Sequence, residues 1–342
     1  MDELTFSILL FLPAAILSLA LGAIIHELAR FACGRLSGYG FQSFSVCSLT
    51  LSRENGRLRA RRTGGAMGGA LHSSCQMRPT DRFEDFRFNL YLLGGGVANA
   101  LVAAAAFALL AHPAVSGGAS VAVFAFAYSN AAIAALSLIP MSSLGTLNDG
   151  KKRSCASRSP EAARCLWMIL RITAGVIDGK RIRDFDASDF ELPEGADRYN
   201  PLVAILGMMG ADRLCGAGGR REVIAVYEST PMDRLPASYR NAALCELLFH
   251  YSAVEPDAVK ARAIYERSGM KAFLKRVAMP GTLRTLAAYR FFVEGDREAG
   301  LKALAAAKDA NAKFPHPGIA AAEAETLALL EGRIAEALGR AG

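Results

Sequence analysis

The first half of the chain alternates long uncharged stretches with short polar connections. Residues 5–25, 88–111 and 119–139 carry no charged side chain. A helix of about 20 apolar residues is long enough to cross the roughly 30 Å hydrocarbon layer of a bilayer. The pattern therefore predicts three membrane-spanning helices, at about residues 5–35, 88–111 and 119–140.

Residues 41–62 follow a different period, in which apolar and polar side chains roughly alternate. Asn55-Gly56 lies between the two alternating runs, and this dipeptide is typical of tight β-hairpin turns. We therefore predict a small β-hairpin at about 41–62 with Asn55-Gly56 at its tip. The glycine-rich stretch after it predicts a loop over 63–79 near the membrane surface, and a re-entrant or substrate-contacting loop is the alternative.

Charge and composition favour a membrane protein with its polar part in the cytoplasm. Hydrophobic residues make up 52% of the 342 positions, and the excess lies before residue 150. The basic residues cluster between the first and second spans and directly after the third, at Arg53, Arg57, Arg59, Arg61, Arg62, Lys151, Lys152 and Arg153. Nucleic-acid binding is one use of such clusters, but the positive-inside rule explains them better. It places both segments in the cytoplasm and the N-terminus, with Asp2 and Glu3, outside.

The seven cysteines fit the same placement. They form no Cys-x-x-Cys pair and no regular spacing, which favours reduced, mostly structural thiols in a cytoplasm-facing protein.

The candidate chemistry lies at the end of the first predicted span. His26 and Glu27 stand side by side there, and ionisable residues at membrane depth indicate a functional site. The segment matches a His-Glu-x-x-His zinc motif except that Arg30 stands at the second histidine. In that motif two histidines one helical turn apart share the metal, and the glutamate activates bound water. Asp149, just past the third span, supplies a carboxylate at the same membrane depth.

This combination resembles the site-2 protease family of intramembrane zinc metalloproteases. The resemblance covers roughly residues 15–152 and rests on the order of the motifs: His26-Glu27 in the first core helix, Ser37-Gly38-Tyr39-Gly40-Phe41 after it, the arginine-rich hairpin, Asn89-Leu90-Tyr91-Leu92-Leu93-Gly94-Gly95, and a proline-bearing third helix leading to Asp149-Gly150. It is similar to a small bacterial branch, which implies a multi-pass protein of the bacterial cytoplasmic membrane. The resemblance further implies that His26 and Asp149 are zinc ligands and that Glu27 is the general base.

Arg30 separates two interpretations of this site. A guanidinium has five donors and no acceptor, so it cannot ligate zinc. The first interpretation is a metal-free pseudoprotease in which Arg30 pairs with Glu27 or Asp149. The second is an active zinc endopeptidase with a substitute ligand, His72 or Cys75, or with two protein ligands and waters. Cys33 is excluded as a substitute because seven residues along a helix put it about 10 Å from His26. Polar packing between helices of a protein unrelated to proteases is the alternative to both.

The sequence pattern after residue 153 predicts soluble helices. A helix begins at Pro160, a charged linker follows over 178–197, and another helix runs from Pro201 to about Leu214. Val223–Ser229 recurs as Ala261–Ser268, and Glu294–Leu304 recurs loosely as Glu331–Ala341. A period of 37–38 residues with helix pairs is typical of helical-hairpin arrays, and it looks like a degenerate tetratricopeptide-type repeat.

The predicted fold is thus mainly α. It comprises a membrane metalloprotease-like domain over 1–153, a helix and linker over 154–197, and a cytoplasmic helical-repeat domain over 198–342. The expected partners are the bilayer and a peptide or protein, without nucleic acid. Zinc is the expected cofactor only if the protein is active. A transport or assembly subunit is a third function with less support.

Overall fold

A computed structural model of the chain describes residues 3–46, 49–62, 73–143, 146–216, 220–314 and 316–340. Within these ranges the chain is mainly helical, with one small antiparallel sheet and a two-stranded ribbon.

The three predicted spans form three mutually packed helices. They are α1 (Glu3–Leu36), α2 (Phe88–Leu109) and α3 (Gly118–Leu138). Each is long and apolar enough to cross a membrane. Their outer faces expose large apolar side chains such as Leu12 and Leu101, while several polar side chains within the spans are buried between the helices. The buried set includes Ser18, Asn99, Ser129 and Asn130. This inside-out distribution of polarity suits a bundle surrounded by lipid.

A four-stranded sheet follows α1 and precedes α2. Its strands are β1 (Gly40–Val46), β2 (Leu49–Glu54), β3 (Arg57–Arg62) and β4 (Ser73–Arg78), in the order β3-β2-β1-β4 and all antiparallel. The tip of the predicted hairpin is confirmed. Asn55 and Gly56 both have positive φ, at 51° and 75°, as a primed turn requires.

The predicted loop over 63–79 is wrong at its end, because β4 occupies part of it. Strand β4 pairs with β1 and alternates its side chains, so that Cys75 and Met77 are buried while Ser74 and Gln76 face the other way. The alternating pattern of β4 is only six residues long. The glycine-rich residues before it favour a loop, so the sequence alone does not indicate this strand. Residues 63–72 lie outside the described part of the chain.

A short connection joins α3 to the helical second half. The ribbon of β5 (Ser142–Ser143) and β6 (Thr146–Leu147) leads into α4 (Asp149–Ala156). Helix α5 (Pro160–Ile177) begins where predicted, with Ser159 as its N-cap, and α6 (Pro201–Gly216) also begins where predicted. The segment 178–197 was predicted as a linker, but it packs into the core through Phe185 and Phe190, which lie in or beside two 3-10 turns.

The remaining helices are short and packed in succession. They are α7 (Arg220–Ser229), α8 (Ala237–Phe249), α9 (Ala258–Tyr265), α10 (Met270–Arg276), α11 (Pro280–Tyr289), α12 (Arg297–Ala312) and α13 (Pro317–Gly339). Helices α8 and α11 each continue into a π-helical turn, at His250–Val254 and Arg290–Glu294. A Val-Glu-x-Asp sequence ends both turns, and its aspartate, Asp257 or Asp296, caps the next helix.

One of the two proposed sequence recurrences does not correspond to a structural boundary. Glu294-Gly295 ends a π-helical turn, with Gly295 at φ 78°. Glu331-Gly332 lies instead inside the unbroken helix α13. The similarity of the two segments is therefore compositional, because a glycine without positive φ is compatible with a continuous helix.

A continuous hydrophobic core joins the sheet to the second half. Tyr39, Met77, Tyr91, Trp167 and Leu206 belong to one cluster of buried side chains. The cluster therefore spans the three segments predicted as separate domains. It holds the sheet as a layer between the membrane-type helices and the helices of the second half.

Candidate functional site

The site is built on one face of α1. His26, Glu27 and Arg30 are 8%, 5% and 7% exposed. Positions three and four apart on a helix share a face, so Arg30 lies one turn beyond both His26 and Glu27. An arginine thus stands on the buried face where the zinc motif would have its second histidine.

Asp149 reaches this face because Asn148 fixes the connection after α3. The Asn148 Nδ2 donates to the carbonyl oxygens of Leu136 and Ile139, at 2.6 Å each. Its Oδ1 accepts from the Lys151 backbone N–H at 2.8 Å and caps α4. Asp149 is the first residue of that helix and is 7% exposed. The capping asparagine therefore ties the end of α3 to the start of α4 and directs Asp149 into the bundle.

The Arg30 guanidinium connects the members of the site. Its Nη1 donates to Glu27 Oε2 at 3.2 Å, and its Nη2 donates to Tyr91 Oη at 2.9 Å. Its Nε lies 3.5 Å from Asp149 Oδ2. The Tyr91 hydroxyl in turn donates to the Cys75 carbonyl at 3.0 Å. Arg30 thereby joins α1, α2, α4 and, through Tyr91, the sheet.

The charges of the site balance without a metal ion. Glu27 and Asp149 are the carboxylates, and Arg30 and Lys152 are the cations, with Lys152 Nζ 3.4 Å from Asp149 Oδ1. Burial by itself would raise the pKa of Asp149, but Arg30, Lys152 and His26 outweigh it and hold that pKa below its usual range. Asp149 is therefore ionised at neutral pH and forms a compensated buried network.

His26 is oriented by a chain of amides between the helices. The Asn99 Nδ2 donates to the Gly22 carbonyl and to Asn130 Oδ1, at 2.9 and 2.8 Å. This leaves Asn99 Oδ1, 2.9 Å from His26 Nδ1, as an acceptor, so Nδ1 carries a hydrogen. His26 Nε2 faces Asp149 Oδ2 at 3.6 Å. This ring orientation is that of a histidine that binds a metal through Nε2 while a second group holds Nδ1–H.

Close helix packing at Gly95 holds the imidazole in place. A Cβ atom added at Gly95 would lie 2.6 Å from the His26 ring atoms Cε1 and Nε2. Glycine is therefore required on α2 for the His26 ring to occupy this position.

As it stands, the site does not fit zinc. Arg30 Nε approaches the same Asp149 oxygen that lies nearest His26 Nε2. The guanidinium also engages Glu27, which would otherwise act as the base. Over the described residues no group of three or more His, Cys, Asp or Glu side chains is placed to hold a metal ion. A dication would add uncompensated positive charge to a buried site that is already neutral.

The structure places the substitute ligands as follows. His72 lies outside the described residues, so its position stays open. Cys75 is fully buried on β4, and burial raises its pKa to about 12, which Arg30 counteracts only in part. Its thiol is therefore protonated at neutral pH. The Cys33 side chain packs beside Gly94 on α2.

Several residues of the site were not assigned roles from the sequence. They are Tyr91, Asn99, Asn130 and Lys152. Polar residues inside an apolar run are the signal that identifies Asn99 and Asn130, because such residues in membrane helices almost always face the bundle interior. No comparable signal marks Tyr91, since tyrosines are also common at membrane interfaces.

Searches against protein-family models, curated proteins and solved structures find no match to this chain.

Proposed function

We propose that this chain is an integral membrane protein on a site-2-protease-like scaffold whose metal position is taken by an arginine ion-pair network. On this proposal it is a pseudoprotease that binds a peptide or protein partner through its second half. The single observation that carries the proposal is the Arg30 guanidinium, which lies between Glu27 and Asp149 and forms ion pairs with both.

The arrangement around Arg30 supports an origin in a metal site. His26 presents Nε2 toward Asp149 and holds Nδ1–H on Asn99, as a zinc-binding histidine does. The order of the elements along the chain is also the order on which the resemblance rests.

The proposed location is the bacterial cytoplasmic membrane. In this arrangement α1, α2 and α3 cross it, the N-terminus lies outside and the second half lies in the cytoplasm. The three apolar helices, their exposed apolar outer faces and the clustered basic residues at the polar end support this arrangement.

The second half is proposed to be a degenerate tetratricopeptide-like array. Two features support it: the π-helical turns that follow α8 and α11, and the Val-Glu-x-Asp segments that end both turns and start the next helix. Stacked helical hairpins create concave surfaces that bind extended peptides.

A peptide-cleavage assay tests the proposal that the protein has no peptidase activity. Purified full-length protein and its Glu27→Gln variant are incubated in detergent with a proteome-derived peptide library and zinc, and new peptide ends are counted by mass spectrometry. We expect the same background for both. New ends that appear with the unaltered protein and disappear with Glu27→Gln would overturn the proposal.

The second candidate function is an active zinc endopeptidase with Glu27 as general base. The observation that favours it is the orientation of the His26 ring, which directs Nε2 at Asp149. It requires Arg30 to leave the site and another ligand, such as His72, to enter. Loss of both bound zinc and cleavage in His72→Ala would support this function, whereas unchanged metal content would remove His72 as a ligand.

A further inference from the structure

A large chamber lies between the sheet and the helices of the second half. Its volume is about 1060 Å³, at the upper end of the roughly 300–1,000 Å³ of ordinary ligand pockets. One wall is the sheet, and the others come from α5, α6, α7, α8, α11 and α13. None of the site residues His26, Glu27, Arg30 and Asp149 lines it, so the chamber is a separate feature.

The sheet presents unused hydrogen-bonding groups to this chamber. Ser43, Ser74 and Gln76 line it, and their side chains make no hydrogen bond within the described part of the chain. Ser43 is only 3% exposed. Because hydroxyl and amide groups can both donate and accept hydrogen bonds, this wall is suited to a ligand that supplies donors and acceptors. The opposite face of β4, with Cys75 and Met77, packs into the core.

The helical wall of the chamber carries an excess of negative charge. Asp212, Glu246 and Glu323 come from three different helices, and Arg284 lies among them. The Arg284 Nη2 is 2.6 Å from Glu246 Oε1, and its Nε is 3.0 Å from Glu323 Oε1. Asp212 accepts a hydrogen bond from Tyr227 Oη at 2.5 Å. One guanidinium thus pairs with two of the three carboxylates, and Asp212 is bonded to a tyrosine.

Neighbouring cations do not remove this excess. Arg181 and Arg183 at the edge of the chamber pair with Asp184 and Glu325, so these charges are balanced among themselves. Burial raises the pKa of Asp212 to about 7, and Glu246 adds to the effect. Burial raises the pKa of Glu323 in the same way. The Asp212 side chain is exposed, but it opens into the chamber, where the surrounding helices limit the solvation of its charge.

The chemistry of the walls selects an occupant. Phosphate-bearing ligands are disfavoured by the carboxylates. The described residues contain no set of three acidic, His or Cys groups placed for a metal ion, so the negative charge suits an organic cation. Apolar side chains also line the chamber, among them Ile182, Met209 and Leu329. A ligand with alternating polar backbone, apolar side chains and a cationic head matches all three kinds of surface.

We propose that the chamber binds an extended peptide segment of a partner protein through a lysine side chain placed among Asp212, Glu246 and Glu323. The peptide backbone meets Ser43, Ser74 and Gln76 on the sheet. This inference rests on the proposed peptide-binding function and adds its site and its charge preference. The bound lysine adds a second cation, beside Arg284, to the cluster of Asp212, Glu246 and Glu323.

Competitive retention of defined peptide pools tests the proposal. The full-length protein is immobilised in detergent and incubated with two acetylated, amidated pentapeptide pools, randomised except at the centre. One pool has lysine there and the other has norleucine, which keeps the aliphatic stem and removes the charge. We expect about tenfold or greater retention of the lysine pool, because its ammonium gains charge-assisted hydrogen bonds. Free cadaverine, an amine without a peptide backbone, should not displace it at equal concentration.

Variants connect this preference to the chamber. Asp212→Asn/Glu246→Gln should reduce the difference between the pools to within about twofold, since the ammonium then meets one carboxylate. Ala322→Trp leaves the charges in place and fills the chamber from α13, so it should abolish retention of both pools. Asp186→Asn, an exposed acid outside the chamber, is the matched control and should retain lysine peptides as the unaltered protein does. Thermal unfolding of each variant verifies that it is folded.

The outcomes separate this inference from the function on which it rests. Equal retention of both pools, blocked by Ala322→Trp, would overturn the lysine preference and leave peptide binding in place. Retention unaffected by Ala322→Trp would overturn the chamber as the site. Displacement by cadaverine at equal concentration would overturn the peptide as the ligand. Retention of neither pool would overturn both the inference and the proposed peptide-binding function.

Discussion

The Nε of Arg30 on α1 lies 3.5 Å from Oδ2 of Asp149 at the start of α4, the same oxygen that faces His26. This contact joins the two segments on which the zinc-site resemblance depends. It also explains why Arg30 is tolerated in the apolar bundle, because Glu27 and Asp149 neutralise it and Tyr91 accepts its remaining strong hydrogen bond.

Removing Arg30 alone should be strongly destabilising. In Arg30→Ala the Glu27 and Asp149 carboxylates lose the guanidinium between them while remaining buried, and breaking a buried ion pair costs about 3–5 kcal/mol. The free energy of unfolding in detergent, from denaturant titration, measures the loss. The triple variant Glu27→Gln/Arg30→Met/Asp149→Asn removes all three charges and should lose far less. Equal losses in the two variants would show that Arg30 acts through packing rather than charge.

Asn99 should stabilise the folded protein through the hydrogen bonds that orient His26. Asn99→Leu leaves His26 Nδ1, the Gly22 carbonyl and Asn130 Oδ1 without this partner. We expect a loss of about 0.5–2 kcal/mol in unfolding free energy, the range for polar contacts between membrane helices. Asn89→Ala, which removes an exposed contact to Arg153 near the start of the same helix, is the control and should change little. A similar loss in both variants would contradict the role given to Asn99.

Asp212 should make the stability depend on pH. Its pKa rises in the folded protein from an ordinary 3.8 to about 7, in a setting formed by Tyr227, Glu246 and Arg284. Between these two values the folded state holds a proton that the unfolded state has lost. Stability attributable to this group therefore falls as pH rises from about 4 to about 7.

Denaturation midpoints measured at pH 5 and pH 8 test this assignment. The unaltered protein should lose stability over this interval, and Asp212→Asn should lose less of it. The exposed Asp186→Asn variant should behave like the unaltered protein. An unchanged pH dependence in Asp212→Asn would contradict the raised pKa.

The proposed topology predicts where engineered thiols react. Ser116→Cys lies in the turn between α2 and α3 and should be labelled in intact cells by a membrane-impermeant maleimide. Gly332→Cys on α13 has open space around it and should be labelled only after the membrane is opened, with the unaltered protein as the background in both cases. Labelling of Gly332→Cys in intact cells would reverse the orientation.

Local sequence patterns predict single helices and turns better than they predict which distant segments pack together. The helices at the three apolar runs, at Pro160 and at Pro201 follow from periodicity and capping, and Asn55-Gly56 follows from its turn preference. Strand β4 was not predicted because its partner is β1, which lies on the other side of the hairpin and the glycine-rich residues in the sequence. The acidic chamber was also missed, since Asp212, Glu246, Arg284 and Glu323 are far apart in the chain and only the packing of four helices brings them together. Asp149 could be associated with His26 because both lie at the same predicted depth in the membrane, although they are far apart in the sequence.

Zinc content of the purified protein tests the central proposal most directly. The unaltered chain and Arg30→His, which restores the second histidine one turn from His26, are purified in the same detergent, equilibrated with zinc and desalted. Metal per chain is then measured by inductively coupled plasma mass spectrometry. We predict no stoichiometric zinc in the unaltered protein, and about one zinc per chain in Arg30→His, because two histidines and Asp149 then form the three-ligand set of a catalytic zinc site. One zinc per chain in the unaltered protein would contradict the account.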